Sequence, residues 1–376
     1  MGKRLLLIAL SLAVSLATSE LLLRLVWKNP YRHELAERVA LLRMHHGLRE
    51  LPVNRASVSP KSPTALLRTD ERGYILPTRR FEKPDRTIAF IGGSTTECAA
   101  LDEDQRFPAL VSAMLEDRGL KVNTLNAGVS GNTTQDALNI VLNHLNEDHP
   151  DVAVLMEAAN DVGVLIGDGS YRTREAELVT PATALRWPLQ LASGRLWLAG
   201  ALRSYLTLAT IPPPEVGDPA HAVEPPPAPP AEFVKRLRGF AALCRAFGID
   251  PVLMTQPSVK TPSPLTPRWV TAKNQGAFND EIRRVADEEH VPLVDLVRHL
   301  EDDVPGWEEP NRVFYDGIHV TADGARIYAD YITKRLLETV LRESRTLRDH
   351  DEEAALAAAP EDRAGLGQEA LDRVAR

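Results

Sequence analysis

The chain has 376 residues, 44% of them hydrophobic and 26% charged, which is enough apolar sequence to bury a sizeable core. A formal net charge of -8 with no dense Lys/Arg patch excludes nucleic acid as the main partner. Only two cysteines occur, Cys98 and Cys244, far apart and outside any CxxC or Cys/His metal spacing, which excludes a disulfide framework.

Lys3 and Arg4 precede an apolar run from Leu5 to Trp27, broken by Glu20 and Arg24. A basic start before such a run marks an export signal or a membrane anchor, and the run is long enough to span a bilayer. Glu20 and Arg24 are four apart, so they share a helix face on which they can pair. Ala17 and Ser19 form a small-x-small pattern, and cleavage after Ser19 would make the protein secreted. Because apolar sequence continues past that point, residues 1–28 are read as a retained anchor with the rest of the chain extracytoplasmic.

Residues 29–86 read as a stalk and a loop-rich lead-in. A helix or stalk is expected over 29–50, and a short hairpin near residues 73–76. His45 and His46 are adjacent, so on a helix they would not share a face to bind one metal ion.

From Thr87 the pattern becomes regular. Short apolar runs rich in β-branched residues predict strands over 88–91, 122–125, 152–156, 251–255 and 291–296. Between and after them, helices are expected over 107–117, 135–146, 241–247, 274–289 and 322–342. Strands alternating with helices imply a parallel sheet with right-handed crossovers and helices on both faces. Residues 87–342 therefore form one unit, interrupted by an insertion over 163–232. Its first part, with Trp187, Trp197 and Tyr205, predicts one or two amphipathic helices serving as a lid, a membrane-facing patch or extra packing. Its last part, 211–232, is proline-dense and reads as an extended spacer. The charged, Ala-rich tail 343–376 reads as a frayed helix or disorder.

Open parallel sheets bind ligands at the carboxyl ends of their strands. Strand one ends in Gly92-Gly93-Ser94, a tight turn with a hydroxyl at its tip. Strand two delivers Gly128 and Gly131, strand three Asn160, and the loop before the last helix Asp316 and His319. Acyl transfer needs these groups. A serine hydroxyl attacks only when a base takes its proton, and an imidazole does this near neutral pH, so Ser94 is assigned as nucleophile and His319 as base. Asp316, three residues before His319, is placed to hold the other ring nitrogen. The oxyanion is assigned to the Ser94 and Gly131 backbone N–H groups and the Asn160 amide. Cys98 reads as buried packing, Asp161 as a carboxylate that orders its loop, and Asp295 as structural. Gly92-Gly93-Ser94-Thr95 lacks the lysine of a phosphate loop.

Taken together, Gly92-Gly93-Ser94-Thr95, Asn126 through Gly131-Asn132-Thr133, Ala158-Ala159-Asn160-Asp161 and Asp316-Gly317-Ile318-His319 resemble the four blocks of the SGNH (GDSL) hydrolase family, in order. The resemblance covers about 87–342 without the insertion. It implies a three-layer α/β/α, flavodoxin-like fold with a five-stranded parallel sheet, and the catalytic roles just given. It implies an esterase acting on acetyl or short-chain esters without metal or organic cofactor, its substrate an acylated polysaccharide or a lipid. An O-acyltransferase on envelope or secreted polysaccharide shares the first half-reaction. A non-catalytic carbohydrate-binding or scaffolding protein on the same fold is the reading from another class. Two positions depart from the usual motif. Gly93 stands where many members have Asp, and Ala158 where the usual residue is Gly, so a positive φ at 158 would strain the alanine.

Overall fold

All five apolar runs enter one sheet in the computed structural model, which describes residues 2–27, 43–45, 48–54, 56–59, 62–167, 171, 192, 196–210, 231–259 and 272–342. The strands are β1 (Arg86–Gly92), β2 (Val122–Gly128), β3 (Val152–Met156), β4 (Asp250–Met254) and β5 (Leu293–Val294). They lie parallel in the order β2-β1-β3-β4-β5. Gly92 stands opposite Gly128 on one side and Met156 on the other, and Met156 opposite Met254. The carboxyl ends of β1 to β4 therefore finish level, and the loops that carry the candidate site leave from one edge.

In chain order the α-helices of four or more residues among the described residues are α1 (Gly2–Val26), α2 (Ser94–Glu97), α3 (Phe107–Glu116), α4 (Thr134–Ile140), α5 (Ala159–Val162), α6 (Trp197–Thr210), α7 (Ala231–Ala246), α8 (Ala272–Glu288), α9 (Leu296–Asp303) and α10 (Ala322–Glu338). Successive strand residues face opposite sides of the sheet. Ala89, Ile91, Leu155 and Leu253 pack with Ile140 of α4, Phe240 of α7 and Phe278 of α8. Ile88, Phe90, Val154 and Met254 pack with Val111 of α3, Leu300 of α9 and Tyr328 of α10. The fold is thus three-layer α/β/α with a five-stranded parallel sheet of flavodoxin-like order.

Several boundaries differ from the sequence expectation. Only Leu293 and Val294 pair in the last strand, because Asp295 leaves the ladder to cap α9, accepting from the Arg298 N–H at 3.2 Å. α7 begins at Ala231, inside the stretch expected to be extended, and buries Phe233, Val234, Leu237, Phe240, Ala241 and Cys244. Lys235, Arg236 and Arg238 interleave with that stripe and obscured its first half. Residues 43–50 hold a short antiparallel pair, Arg43–His45 with Leu48–Glu50, where a helix or stalk was expected; Gly47 disfavours helix there. The lead-in hairpin is Ala56–Ser59 with Ser62–Arg68, upstream of the expected place. Near Gly73 (φ +88°) the chain turns tightly, and Ile75 bridges both Thr69 and Asn126 of β2. Residues 29–42, Trp187, nearly all of the proline-dense run and the charged tail lie outside the described residues.

The lead-in is fastened from within. Arg106, 1% exposed, donates to the carbonyls of Leu66 (2.6 Å), Leu76 (2.9 Å) and Leu101 (3.1 Å). A buried guanidinium spends its fixed fork of donors on backbone acceptors here. At the other end Ile8–Val26 of α1 is long and apolar enough to cross a membrane or act as a signal sequence, and none of it is buried in the protein. Glu20 and Arg24 do pair, at 2.9 Å.

Candidate active site

β1 ends at Gly92, Gly93 is the helix N-cap, and Ser94 opens α2. A Cβ on Gly93 would overlap the Asn160 side-chain nitrogen, so glycine at this position lets that amide come up against the residue before the serine. As first residue of a helix, Ser94 has a backbone N–H with no intrahelical partner.

His319 reaches Ser94 from the far end of the chain. Its Nε2 lies 2.7 Å from Ser94 Oγ, and its Nδ1 lies 2.7 Å from Asp316 Oδ2. The other Asp316 oxygen accepts the His319 backbone N–H at 3.0 Å. With Nδ1–H donating to the carboxylate, the Nε2 lone pair faces the serine hydroxyl, which donates to it. Asp316 and His319 sit in a tight loop, not in a helical turn. The Tyr315 N–H donates to the His319 carbonyl at 3.0 Å, and Phe314 bridges Val320. Gly317 supplies the positive φ (+99°) the loop requires, and its carbonyl accepts from Val259 N–H at 2.9 Å. Both side chains are about five-sixths buried (15% and 16% exposed), which shields the relay from water yet leaves it reachable. The Tyr315 ring stacks on the imidazole at 5.7 Å.

Asn160 is the second residue of α5. Its amide donates to the Asn132 carbonyl at 2.7 Å, which leaves a second N–H with no partner among the described residues. Gly131 precedes Asn132 with φ +80°, a left-handed conformation glycine adopts without cost. The register of β1, β2 and β3 brings Ser94, Gly131 and Asn160 to the same edge. Ala158 has φ -158°, so the strain anticipated from a positive φ does not arise; its methyl is fully buried in the apolar core.

One residue of the site was not found from sequence. Gln256, 2% exposed, follows β4 and reaches across to two neighbouring loops. Its Oε1 accepts the Ala158 and Ala159 N–H groups at 2.8 and 2.7 Å, and its Nε2 donates to Thr95 Oγ1 at 2.8 Å. Asn279 grips its backbone from both sides, accepting its N–H at 2.8 Å and donating to its carbonyl at 2.9 Å. Gln256 thereby ties the start of α5, which carries Asn160, to α2, which carries Ser94. A polar residue just past the level edge of the sheet was the available signal.

Asp161 orders the same edge. It accepts from the Thr134 hydroxyl at 2.6 Å and from the Tyr171 hydroxyl, and burial pushes its carboxyl up to about 6 against those bonds. Cys98 is buried, donates to the Thr95 carbonyl at 3.2 Å, and has its thiol pushed up to about 12 by burial, so it stays a neutral thiol. Asp295 is held by Arg283 at 2.7 Å and caps α9. No group of three or more metal-ligating side chains occurs among the described residues.

Residues 90–327, more than half of the chain, match the GDSL-like lipase/acylhydrolase family. Among solved structures, the acetyl xylan esterase AlAXEase is 16% identical, with 66% of this chain and 98% of that chain covered and a TM-score of 0.43. A variant of an acetyl xylan esterase from Geobacillus stearothermophilus is 16% identical, over 67% of this chain and 95% of that one, with a TM-score of 0.44. LAE5, an alpha/beta hydrolase enzyme from the metagenome of Lake Arreo, Spain, is 19% identical, over 67% and 95%, with a TM-score of 0.41. No curated protein matches the sequence.

Proposed function

Because the chain belongs to the GDSL-like lipase/acylhydrolase family, we propose that it is a serine esterase that passes an acyl group through Ser94 to water. The observation that carries this reading is the unbroken hydrogen-bonded relay from Ser94 Oγ through His319 to Asp316, with 2.7 Å at each step. Ser94 Oγ attacks the ester carbonyl as His319 Nε2 takes its proton. The tetrahedral oxyanion is met by the Ser94 and Gly131 N–H groups and the second side-chain N–H of Asn160. Asp316 stabilises the imidazolium, which then protonates the departing alcohol. Water repeats the sequence on the acyl-enzyme, with His319 again as base, and frees the acid. These steps call for no metal or organic cofactor.

The layout proposed around this chemistry is a membrane anchor over 1–28, a stalk and lead-in over 29–86, the hydrolase unit over 87–342 with its insertion, and a tail over 343–376. The exposed apolar length of Ile8–Val26 supports the anchor. Tethered in this way, the enzyme would meet acyl esters of lipids or of polysaccharide near the outer membrane surface. A sugar hydroxyl replacing water would make the same acyl-enzyme an O-acyltransferase. The test is hydrolysis of p-nitrophenyl acetate together with intact mass, with and without Ser94→Ala. Turnover and a transient acetyl adduct, both lost in the variant, are expected. A stable adduct without turnover would indicate transfer to another acceptor. Neither signal from folded protein would overturn the enzyme reading.

A further inference from the structure

The insertion meets the N-terminal helix through a built junction. Glu20 of α1 accepts the backbone N–H groups of Trp197 and Leu198, the first two residues of α6, at 3.0 and 2.8 Å. Arg24 donates to the same carboxylate at 2.9 Å, and its guanidinium lies 4.8 Å from the centre of the Trp197 ring. The Trp197 indole N–H donates to the carbonyl of Trp27, just past the end of α1, at 3.1 Å. A carboxylate in an otherwise apolar helix is costly in lipid. Here it is neutralised by one cation and satisfied by two amides, and those amides are ones a helix start leaves without partners.

The residues around this junction are apolar. In α1, Leu21 and Leu22 are 59% and 55% exposed; in α6, Leu202 and Tyr205 are 49% and 69% exposed. Positions 202 and 205 are three apart and so share a face. Arg203 is the one charged residue among the fourteen of α6. Tryptophans concentrate where a membrane meets water, which sets the junction of Trp27 and Trp197 at headgroup level. From there α6, about 21 Å long at 1.5 Å per residue, is too short to cross a hydrocarbon core of about 30 Å. Both ends of the insertion return to the α/β unit, at Tyr171 and Ala231.

We propose that α6 lies in the membrane interface beside α1, with the Leu202/Tyr205 face against lipid, and that Glu20 is the clamp that holds it there. This assigns the insertion a lipid bilayer as its partner. The inference rests on α1 being a membrane segment, not on the esterase chemistry.

The test uses the full chain in phosphatidylcholine liposomes. Leu202→Cys and Tyr205→Cys variants, one at a time, are labelled with the environment-sensitive fluorophore NBD; native Cys98 and Cys244 are buried. Flotation with the vesicles checks the anchor first, and failure to float overturns the premise and the inference with it. In floating protein, blue-shifted emission quenched by doxyl-labelled lipid is expected at both positions. Water-like emission quenched by iodide would overturn the proposal while leaving the anchor standing. A blue shift without lipid quenching, lost when the protein is diluted in lipid, would show a second copy of the chain on this face and would also overturn it. Glu20→Ala should still float but lose lipid quenching at 202; unchanged quenching would refute the clamp.

Discussion

Replacing Gln256 should slow catalysis more than its position behind the site suggests. Gln256→Ala removes three hydrogen bonds of 2.7 to 2.8 Å and strands the Ala158 and Ala159 N–H groups and the Thr95 hydroxyl, all on residues no more than 4% exposed. A buried polar group left without a partner costs about 1–3 kcal/mol, and a water filling the vacated space recovers part of it, so a destabilisation of about 2–4 kcal/mol is expected. The kinetic effect comes through Asn160. One oxyanion donor is worth roughly 100- to 1000-fold in rate. Loosening its loop without deleting it should forfeit part of that, about 10- to 100-fold in kcat with KM little changed. Gln256→Met keeps the volume and removes the same bonds, so it should show the same kcat loss without a cavity, although no water then replaces the lost partners. The assay is steady-state p-nitrophenyl acetate hydrolysis well below each variant's Tm, alongside thermal denaturation. Lowered Tm with kcat within about twofold of wild type in both variants would refute the reasoning and leave Gln256 a structural tie only.

Other predictions follow from the same geometry. Asn160→Ala should lower kcat by about 100-fold or more with a much smaller change in KM, since the amide acts on the oxyanion and not on the ground-state ester. Asp161 holds its proton up to about pH 6 in the folded protein, whereas an unfolded Asp releases it near 3.9. Its contribution to stability is therefore greatest in acid and falls by about 3 kcal/mol as pH rises from about 4 to above 6. The stability of wild type minus that of Asp161→Asn, from urea titrations, should fall over that window, and a flat difference contradicts the assignment. Arg106→Met should cost about 3 kcal/mol, because it removes a cation and leaves the carbonyls of Leu66, Leu76, Cys98 and Leu101, two of them in buried bonds and two in part-buried ones, without their donor. Limited proteolysis of that variant should cut first within the lead-in.

How legible these features were depended on distance along the chain. The strands were readable because each is a short run of buried, often β-branched residues, and level ends follow from the register. Asp316 and His319 were readable as a pair because they stand three positions apart, although the loop that joins them is closed by Tyr315 and Gly317 and is not a helical turn. The start of α7 was hidden by charges interleaved with its buried stripe, and α9 by an aspartate that ends the strand as it caps the helix. Gln256 was legible only as a polar residue just past the edge of the sheet, and its role as a tie was not. Its partners lie 98, 97 and 161 residues away, and nothing local in Thr255-Gln256-Pro257 distinguishes a tie from a loop residue. Ala158 misled in the other direction: the motif position suggested a positive φ, and the observed φ is -158°.

The central claim is that His319 activates Ser94 as a nucleophile. Its most direct test is reaction of the full chain with a fluorophosphonate, followed by peptide mapping of the labelled residue. The relay predicts one adduct on Ser94, with labelling strongly slowed in a folded His319→Ala variant. Label on another residue, or labelling of Ser94 at the same rate without His319, would contradict it.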